Sequence, residues 1–248
     1  MSFPCKPESS EGFSLGRDAY GVVFDSETII LSLAYNKYIF VDGEAHIMLS
    51  GGLDNGLPLP KSVEELIDAG IIVRGSSREI SPRLTDARGK RIAGLSNAHW
   101  RFRPIPNSNI RISLHQRVFA LIDLASLAFG TKIYGIQYVI RTIQRCGNRA
   151  TMSSIKTGNH ATDIAELCAA IEWAKHFMPA KIDCLLWAGA LVIGAIRSGV
   201  AVKFVIGVQH RPFVAHAWAE TITGAISENP DLSSRMAVLL ELSFPVSR

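Results

Sequence analysis

The chain of 248 residues is long enough for two modest domains, and its composition, 48% hydrophobic and 19% charged, excludes an intrinsically disordered protein. The formal net charge of +4 forms no basic stripe, so no nucleic-acid partner is expected. The four cysteines have neither C-x-x-C nor Cys/His metal spacing, which argues against a zinc site. The first residues contain no apolar signal region, and no segment has eighteen consecutive apolar residues. We therefore expect a cytoplasmic protein with reduced thiols and no membrane partner.

The first third of the chain predicts a small module of strands and short helices. Strands are expected at residues 20–24, 28–33, 37–41 and 71–73, and helices at residues 44–49 and 61–69. Ser62 is the predicted N-cap of the second helix, with Glu65 at the capping-box distance. This order of elements is typical of a winged-helix-like module. The second helix also carries Glu64 and Asp68, which would repel DNA phosphates, so a DNA-reading role is disfavoured.

The middle of the chain predicts a linker followed by apolar helices. Residues 75–106 are polar, with Arg, Gly, Ser and Pro scattered through them. Helices are expected from Ser113 to Gly130, from Ile133 to Cys146 with Gly147 closing it, and from a capping Asp163 onward. Cys168 falls on the apolar stripe of the third helix and is predicted to be a core residue. We therefore divide the chain into a domain at residues 1–85, a linker at 86–106 and a domain at 107–248.

The last third predicts a buried helix and then three strands. Asp183 is a natural N-cap, which places Cys184 in the first turn of the helix. The helix is expected to end at Ser198-Gly199, with strands at residues 200–208, 213–220 and 225–228. In the second strand, His216, Trp218 and Glu220 share one face.

This order of cysteine, histidine and acid is suited to thiol chemistry. A cysteine at a helix N-terminus meets unpaired backbone N–H groups and the positive end of the macrodipole, and both favour a thiolate. A histidine on a strand packed against that helix can take the thiol proton, and a carboxylate on the neighbouring strand can orient the imidazole. Each residue alone is more often structural, but together they predict a catalytic site.

A resemblance to a known family is carried by the residues of this last third. The run comprises Asp183-Cys-Leu, Ala190-Leu191, Phe204-Val-Ile-Gly-Val208, Pro212-Phe213 and Ala215-His-Ala-Trp218 with Glu220. It resembles the lasso-peptide leader peptidases, the transglutaminase-like cysteine proteases also called B or B2 proteins. The third catalytic residue of that family is an aspartate twelve positions after the histidine. The resemblance implies catalytic roles for Cys184, His216 and Glu228, with Asn229 as the alternative orienting residue.

A second resemblance covers residues 20–75, which look like the leader-recognition element of peptide natural-product pathways. In that family the leader adds as a strand to the third β-strand and lies against the third helix. The corresponding elements here are Lys37–Val41 and Val63–Ile67. The resemblance implies leader contacts at Tyr38, Phe40, Leu66 and Ile67.

The expected fold class is α+β, with an N-terminal winged-helix-like domain and a C-terminal papain/transglutaminase-like domain whose catalytic helix packs on an antiparallel sheet. The expected function is a cysteine peptidase that binds the leader of a lasso-peptide precursor and cleaves the leader–core amide. The resemblance also implies an asparagine-synthetase-like lasso cyclase as partner. We expect no metal or cofactor on this chain, which has no P-loop, and assign the pathway's ATP to that cyclase. Two alternatives stay open: an acyl-transfer enzyme of the transglutaminase or arylamine acetyltransferase type, and a non-catalytic peptide-binding adaptor.

Overall fold

The computed structural model describes residues 12–51, 59–75, 83–90, 110–150 and 160–244. Contacts between Cα atoms divide the chain into two compact units, Met1–Lys90 and Arg91–Arg248. The predicted boundaries at residues 85 and 107 stay a prediction, and most of the predicted linker lies outside the described residues. Within the described ranges, no helix is both long and apolar enough to cross a bilayer.

The N-terminal unit is built from two small sheets and two helices. Its elements are β1 (Gly12–Leu15), β2 (Ala19–Val23), β3 (Thr28–Ser32), β4 (Lys37–Val41), α1 (Gly43–Leu49), α2 (Lys61–Asp68), β5 (Ile72–Gly75) and β6 (Leu84–Asp86). The predicted strands β2, β3 and β4 form an antiparallel meander within a sheet of order β4-β3-β2-β6, while β1 and β5 form a separate pair. The winged-helix assignment stays a prediction.

Hydrophobic residues from the sheet and both helices form the core of this unit. Ile30 and Val41 from the four-stranded sheet cluster with Ala45 of α1, Val63 of α2 and Ile72 of β5. All five are buried, so the short helices are held by tertiary packing and not by helix propensity alone.

Two predictions for the N-terminal unit were wrong in local detail. The polar stretch at residues 75–106, where no strand was predicted, contains β6, which pairs in parallel with β2; a partner so distant in the chain leaves little local signal. Ser62 does not cap α2. The helix begins at Lys61, and the carbonyl of Pro60 accepts the N–H groups of Val63 and Glu64.

The C-terminal unit is a mixed α+β structure. Its elements are α3 (Leu114–Tyr134), α4 (Ile136–Ala150), α5 (His160–Lys175), α6 (Cys184–Arg197), β7 (Val202–Gln209), β8 (Val214–Thr221), β9 (Gly224–Ala225), α7 (Leu232–Arg235) and β10 (Ala237–Phe244). The strands form an antiparallel sheet of order β10-β7-β8-β9. Helix α6 packs on β7 and β8 and also contacts α3, α4 and α5. Because α6 is covered on every side, every residue from Leu186 to Ile196 is buried.

Capping predictions in this unit had mixed outcomes. Ser113 caps α3 in a full capping box, in which its hydroxyl accepts from the Gln116 N–H and the Gln116 side chain accepts from the Ser113 N–H. Asp163 is not a cap, because α5 begins at His160. Neither α7 nor β10 was predicted.

Gly130 and Gly147 were predicted to end helices, and both predictions were wrong. Each glycine lies inside its helix. A Cβ at Gly130 would stand 2.2 Å from the ring of Tyr138, and one at Gly147 would stand 2.2 Å from the ring of Phe244. These glycines therefore let aromatic rings pack directly on helix backbone.

Candidate active site

The N-terminus of α6 places Cys184 at the first helical position. Asp183 has an extended backbone, and its carboxylate accepts the N–H of Leu186 at 3.0 Å, which confirms the predicted N-cap. The side chain of Cys184 is partly exposed, whereas the helix is buried from Leu186 to Ile196. The thiol therefore stands at the positive end of a helix dipole and remains accessible.

Strand β8 brings His216 to this cysteine. His216 lies opposite Gly207 of β7 in the sheet register and is buried. The imidazole lies close enough to the Cys184 side chain for the two groups to interact electrostatically. The predicted alternation holds along the strand, with Ala217 and Ala219 buried on the opposite face.

Glu228 reaches the other side of the same ring. Its Oε2 lies 2.6 Å from His216 Nε2, and the two side chains are only 3% (His216) and 7% (Glu228) exposed. The chain enters this position from β9, where the Ile226 N–H donates to the Ala219 carbonyl and Ser227 has a positive φ of 58°. Because Nε2 faces Glu228, Nδ1 is the ring nitrogen left for the thiol. The structure thus places His216 in contact with Glu228 and within electrostatic reach of Cys184.

Opposing effects set the protonation of His216. Burial, the largest single effect, lowers the pKa of the imidazole. Hydrogen bonds to Cys184 and Glu228, and the negative charges of those two groups, together outweigh burial and raise the pKa from 6.5 to about 9. His216 is therefore an imidazolium at neutral pH.

Asn229, the alternative orienting residue, has a different place. Its backbone carbonyl accepts the N–H of Leu232 at the start of α7. Among the hydrogen bonds of the described residues, His216 Nε2 bonds to the carboxylate of Glu228 and not to the side chain of Asn229. The longer acid at position 228 thus spans the distance to the imidazole directly.

Cys168 is a core residue, as predicted. It is buried on α5, and its sulfur accepts a hydrogen bond from the Ser227 hydroxyl at 3.6 Å. Burial raises the pKa of the Cys168 thiol to about 12, well above the range in which a thiolate forms at neutral pH. Cys168 also differs from Cys184 in exposure, since Cys168 is buried and Cys184 is partly exposed.

A hydrogen-bonded cluster beside His216 was missed from the sequence. The indole N–H of Trp218 donates to Glu220 at 3.1 Å, and Glu220 also accepts from the hydroxyl of Ser233 in α7. The sequence placed His216, Trp218 and Glu220 on one face of a strand, but nothing in it located Ser233 against them.

The four residues predicted to contact the leader lie on two elements, β4 and α2. Tyr38 and Phe40 alternate with Ile39 and Val41, and it is Ile39 and Val41 that pack in the core cluster. Leu66 and Ile67 of α2 are partly buried and pack against the same core cluster. Tyr38 and Phe40 therefore lie on the face of β4 opposite to Ile39 and Val41, whereas Leu66 and Ile67 pack against the core cluster.

A comparison with protein families identifies the C-terminal unit. Residues 132–241 match the model of the transglutaminase-like superfamily. The match runs from the end of α3 into β10 and includes Cys184, His216 and Glu228, so this part of the chain is a transglutaminase-like domain. No curated protein and no solved structure matches the chain.

Proposed function

We propose that the protein is a cysteine peptidase that removes the leader from a lasso-peptide precursor. The observation that carries this proposal is the 2.6 Å contact between His216 and Glu228, with Cys184 interacting with the same imidazole, within a domain of the transglutaminase-like superfamily. Its elements are those of covalent thiol catalysis: a nucleophile at a helix N-terminus, a base beside it, and an acid that holds the base.

The reaction begins from the Cys184 thiolate and the His216 imidazolium. The sulfur attacks the carbonyl carbon of the leader–core amide, a C–S bond forms, and the carbonyl electron pair moves to oxygen. The backbone N–H of Cys184, which has no partner within the helix at this position, is suited to stabilise that oxyanion. The imidazolium then gives its proton to the amine as the C–N bond breaks, leaving a thioester on Cys184.

The second half of the reaction releases the leader. Neutral His216 takes a proton from water while the water oxygen attacks the thioester carbon. The C–S bond breaks, and the products are a carboxylic acid, the Cys184 thiolate and the His216 imidazolium. The carboxylic acid then releases its proton to solvent and becomes a carboxylate. Glu228 stays hydrogen-bonded to the ring throughout, keeps Nδ1 directed at the sulfur and balances the positive charge.

The N-terminal unit is proposed as the winged-helix-like leader-recognition domain. Strand β4 forms the edge of its sheet among the described residues, and an extended leader can add there through backbone hydrogen bonds. Side chains of an added strand point alternately to both faces of the sheet. Tyr38 and Phe40 would contact one set, and Leu66 and Ile67 the other. The partner would be an asparagine-synthetase-like lasso cyclase, which would use ATP and close the released core.

Acyl transfer is the second candidate, favoured by the superfamily to which the domain belongs. It shares the thioester and differs in the group that attacks it, an amine in place of water. The mass of the products separates the two reactions. Incubation with the precursor encoded near this chain's gene should give a leader and a core whose masses sum to that of the precursor plus one water. A new amide between leader and an added amine would instead identify a transferase, and no change in mass with a folded protein would contradict both.

A further inference from the structure

The face of the His216 ring is covered by a second aromatic ring. The indole of Trp218 stacks on the imidazole with 6.0 Å between ring centroids and 20° between ring planes. Glu228 meets the ring at Nε2, on its edge, so the indole of Trp218 is placed to limit rotation of the ring away from Glu228.

The position of Trp218 is itself fixed from several directions. The side chain is fully buried, next to Val205 and Met236. Its six-membered ring covers Gly207, the residue opposite His216, where a Cβ would lie 2.7 Å from the nearest ring carbon. Its N–H donates to Glu220. Glycine at position 207 is therefore what allows the indole to lie flat beside the imidazole.

We propose that Trp218 is a positioning residue, which holds the His216 ring between Cys184 and Glu228 and stabilises its protonated form through the face of the indole. This inference rests on the proposed function, in which His216 must be an imidazolium before the first step. The negative face of an indole attracts a cation within about 6 Å of its centroid, and a buried site strengthens that attraction. A neutral imidazole gains less from the same contact.

The charged and titratable groups around His216 define what a pH measurement reports. Helix α6 contributes Cys184, and the segment after β9 contributes Glu228. Strand β7 presents the uncharged Gly207, and β8 places Glu220 on the far side of the indole. The apparent pKa of His216 is thus a property of this coupled cluster, so each variant must be compared with the wild-type cluster.

The first test is the titration of His216 by nuclear magnetic resonance of histidine-labelled protein, with the signal assigned by its loss in His216→Asn. Trp218→Phe should lower the apparent pKa by about 0.5–1 unit, because phenylalanine is a weaker cation–π partner and lacks the N–H. Trp187→Phe is the matched control. Trp187 is equally buried and lies on the helix of Cys184, but its N–H donates to Glu172 on α5. That control should leave the His216 titration unchanged.

The second test does not depend on a substitution that might perturb folding. Replacing the tryptophans of the wild-type protein by fluorinated analogues preserves shape and withdraws charge from the ring face. The apparent pKa of His216 should fall stepwise with the number of fluorine atoms, by a few tenths of a unit each. A His216 titration that does not respond to fluorination, or responds equally to Trp187→Phe and Trp218→Phe, overturns the proposal. Neither readout requires peptide cleavage, so failure here is distinct from failure of the proposed peptidase function.

Discussion

The two units hold their proposed functional residues in contrasting surroundings. In the C-terminal unit, His216 and Glu228 are almost completely buried and lie 2.6 Å apart. In the N-terminal unit, Phe40 is 49% exposed and Tyr38 is half-buried on a strand at the edge of the described sheet. In a buried pair, water cannot replace a partner that a substitution removes, so the remaining group is left without a hydrogen bond. At a half-exposed edge, each side chain contributes only a small part of the binding energy. Substitutions should therefore have large effects in the first region and modest effects in the second.

The largest effect is expected at Cys184. Cys184→Ala should reduce precursor cleavage by at least about 10⁴-fold, since no other group can form the thioester, and Cys184→Ser should do nearly the same. Cys146→Ala is the matched control, because Cys146 is a partly exposed cysteine on α4 that takes no part in the site. Cleavage rates of the purified variants check this. Retained turnover in Cys184→Ala would show that Cys184 is not the nucleophile.

Glu228 comes next and tests how closely the buried pair is fitted. Glu228→Gln should fold but lose about 10²–10⁴-fold in cleavage rate, because an amide cannot balance an imidazolium and can stabilise the wrong tautomer. Glu228→Asp should also lose activity, since the present contact is made at 2.6 Å by the longer side chain. Asn229→Ala should change the rate little. The reverse order, with Asn229→Ala inactive and Glu228→Gln active, would move the orienting role to Asn229.

The pair of His216 and Glu228 should make the free energy of unfolding depend on pH. The pKa of His216 is raised from 6.5 to about 9 in the folded state, so its protonation stabilises the fold fully below pH 6.5 and this contribution is lost as the pH rises through 9. The free energy of unfolding of the wild type, compared with His216→Gln, should fall by up to about 3 kcal/mol between pH 6 and pH 9.5. Urea unfolding at each pH measures it. Glu228→Gln should flatten the dependence, and an unchanged slope in that variant would contradict the pairing.

The smallest effect is expected at the edge of the N-terminal unit. Phe40→Ala should weaken leader binding by about 3–10-fold, because it removes one half-exposed contact and leaves the backbone of β4 intact. Val73→Ala is the control, an apolar residue of similar exposure on β5 in the other sheet of the same unit. Leader affinity can be followed by fluorescence anisotropy in a Cys184→Ala background. Equal loss in both variants would argue against β4 as the docking edge.

The sequence predicted the elements of the candidate site because its signals are local. Asp183 precedes an apolar helix, and the alternation around His216 fixes which residues share a face. Each signal lies within a few residues of the feature that it determines. Cys184 and His216 could therefore be predicted as a functional pair from the sequence.

What the sequence could not predict depends on distant partners. Strand β6 depends on its parallel pairing with β2, which is distant in the chain. Helices α3 and α4 continue through Gly130 and Gly147, where aromatic rings from elsewhere in the chain pack on the helix backbone. The reach of Glu228 to His216 depends on the positive φ of Ser227, a residue type with no strong preference for that conformation. Ser233 meets Glu220 only after α7 folds back on the sheet.

Trapping the covalent intermediate tests most directly whether Cys184 is the nucleophile. The precursor is mixed with the wild-type protein, quenched in acid within the first turnover, and the modified peptide is located by mass spectrometry. We expect a leader-derived thioester on Cys184 and on none of Cys5, Cys146 or Cys168, with its yield increased in Glu228→Gln if release of the acyl group slows more than its formation. Cleaved precursor without any acyl group on Cys184, or with the acyl group on another cysteine, would contradict it.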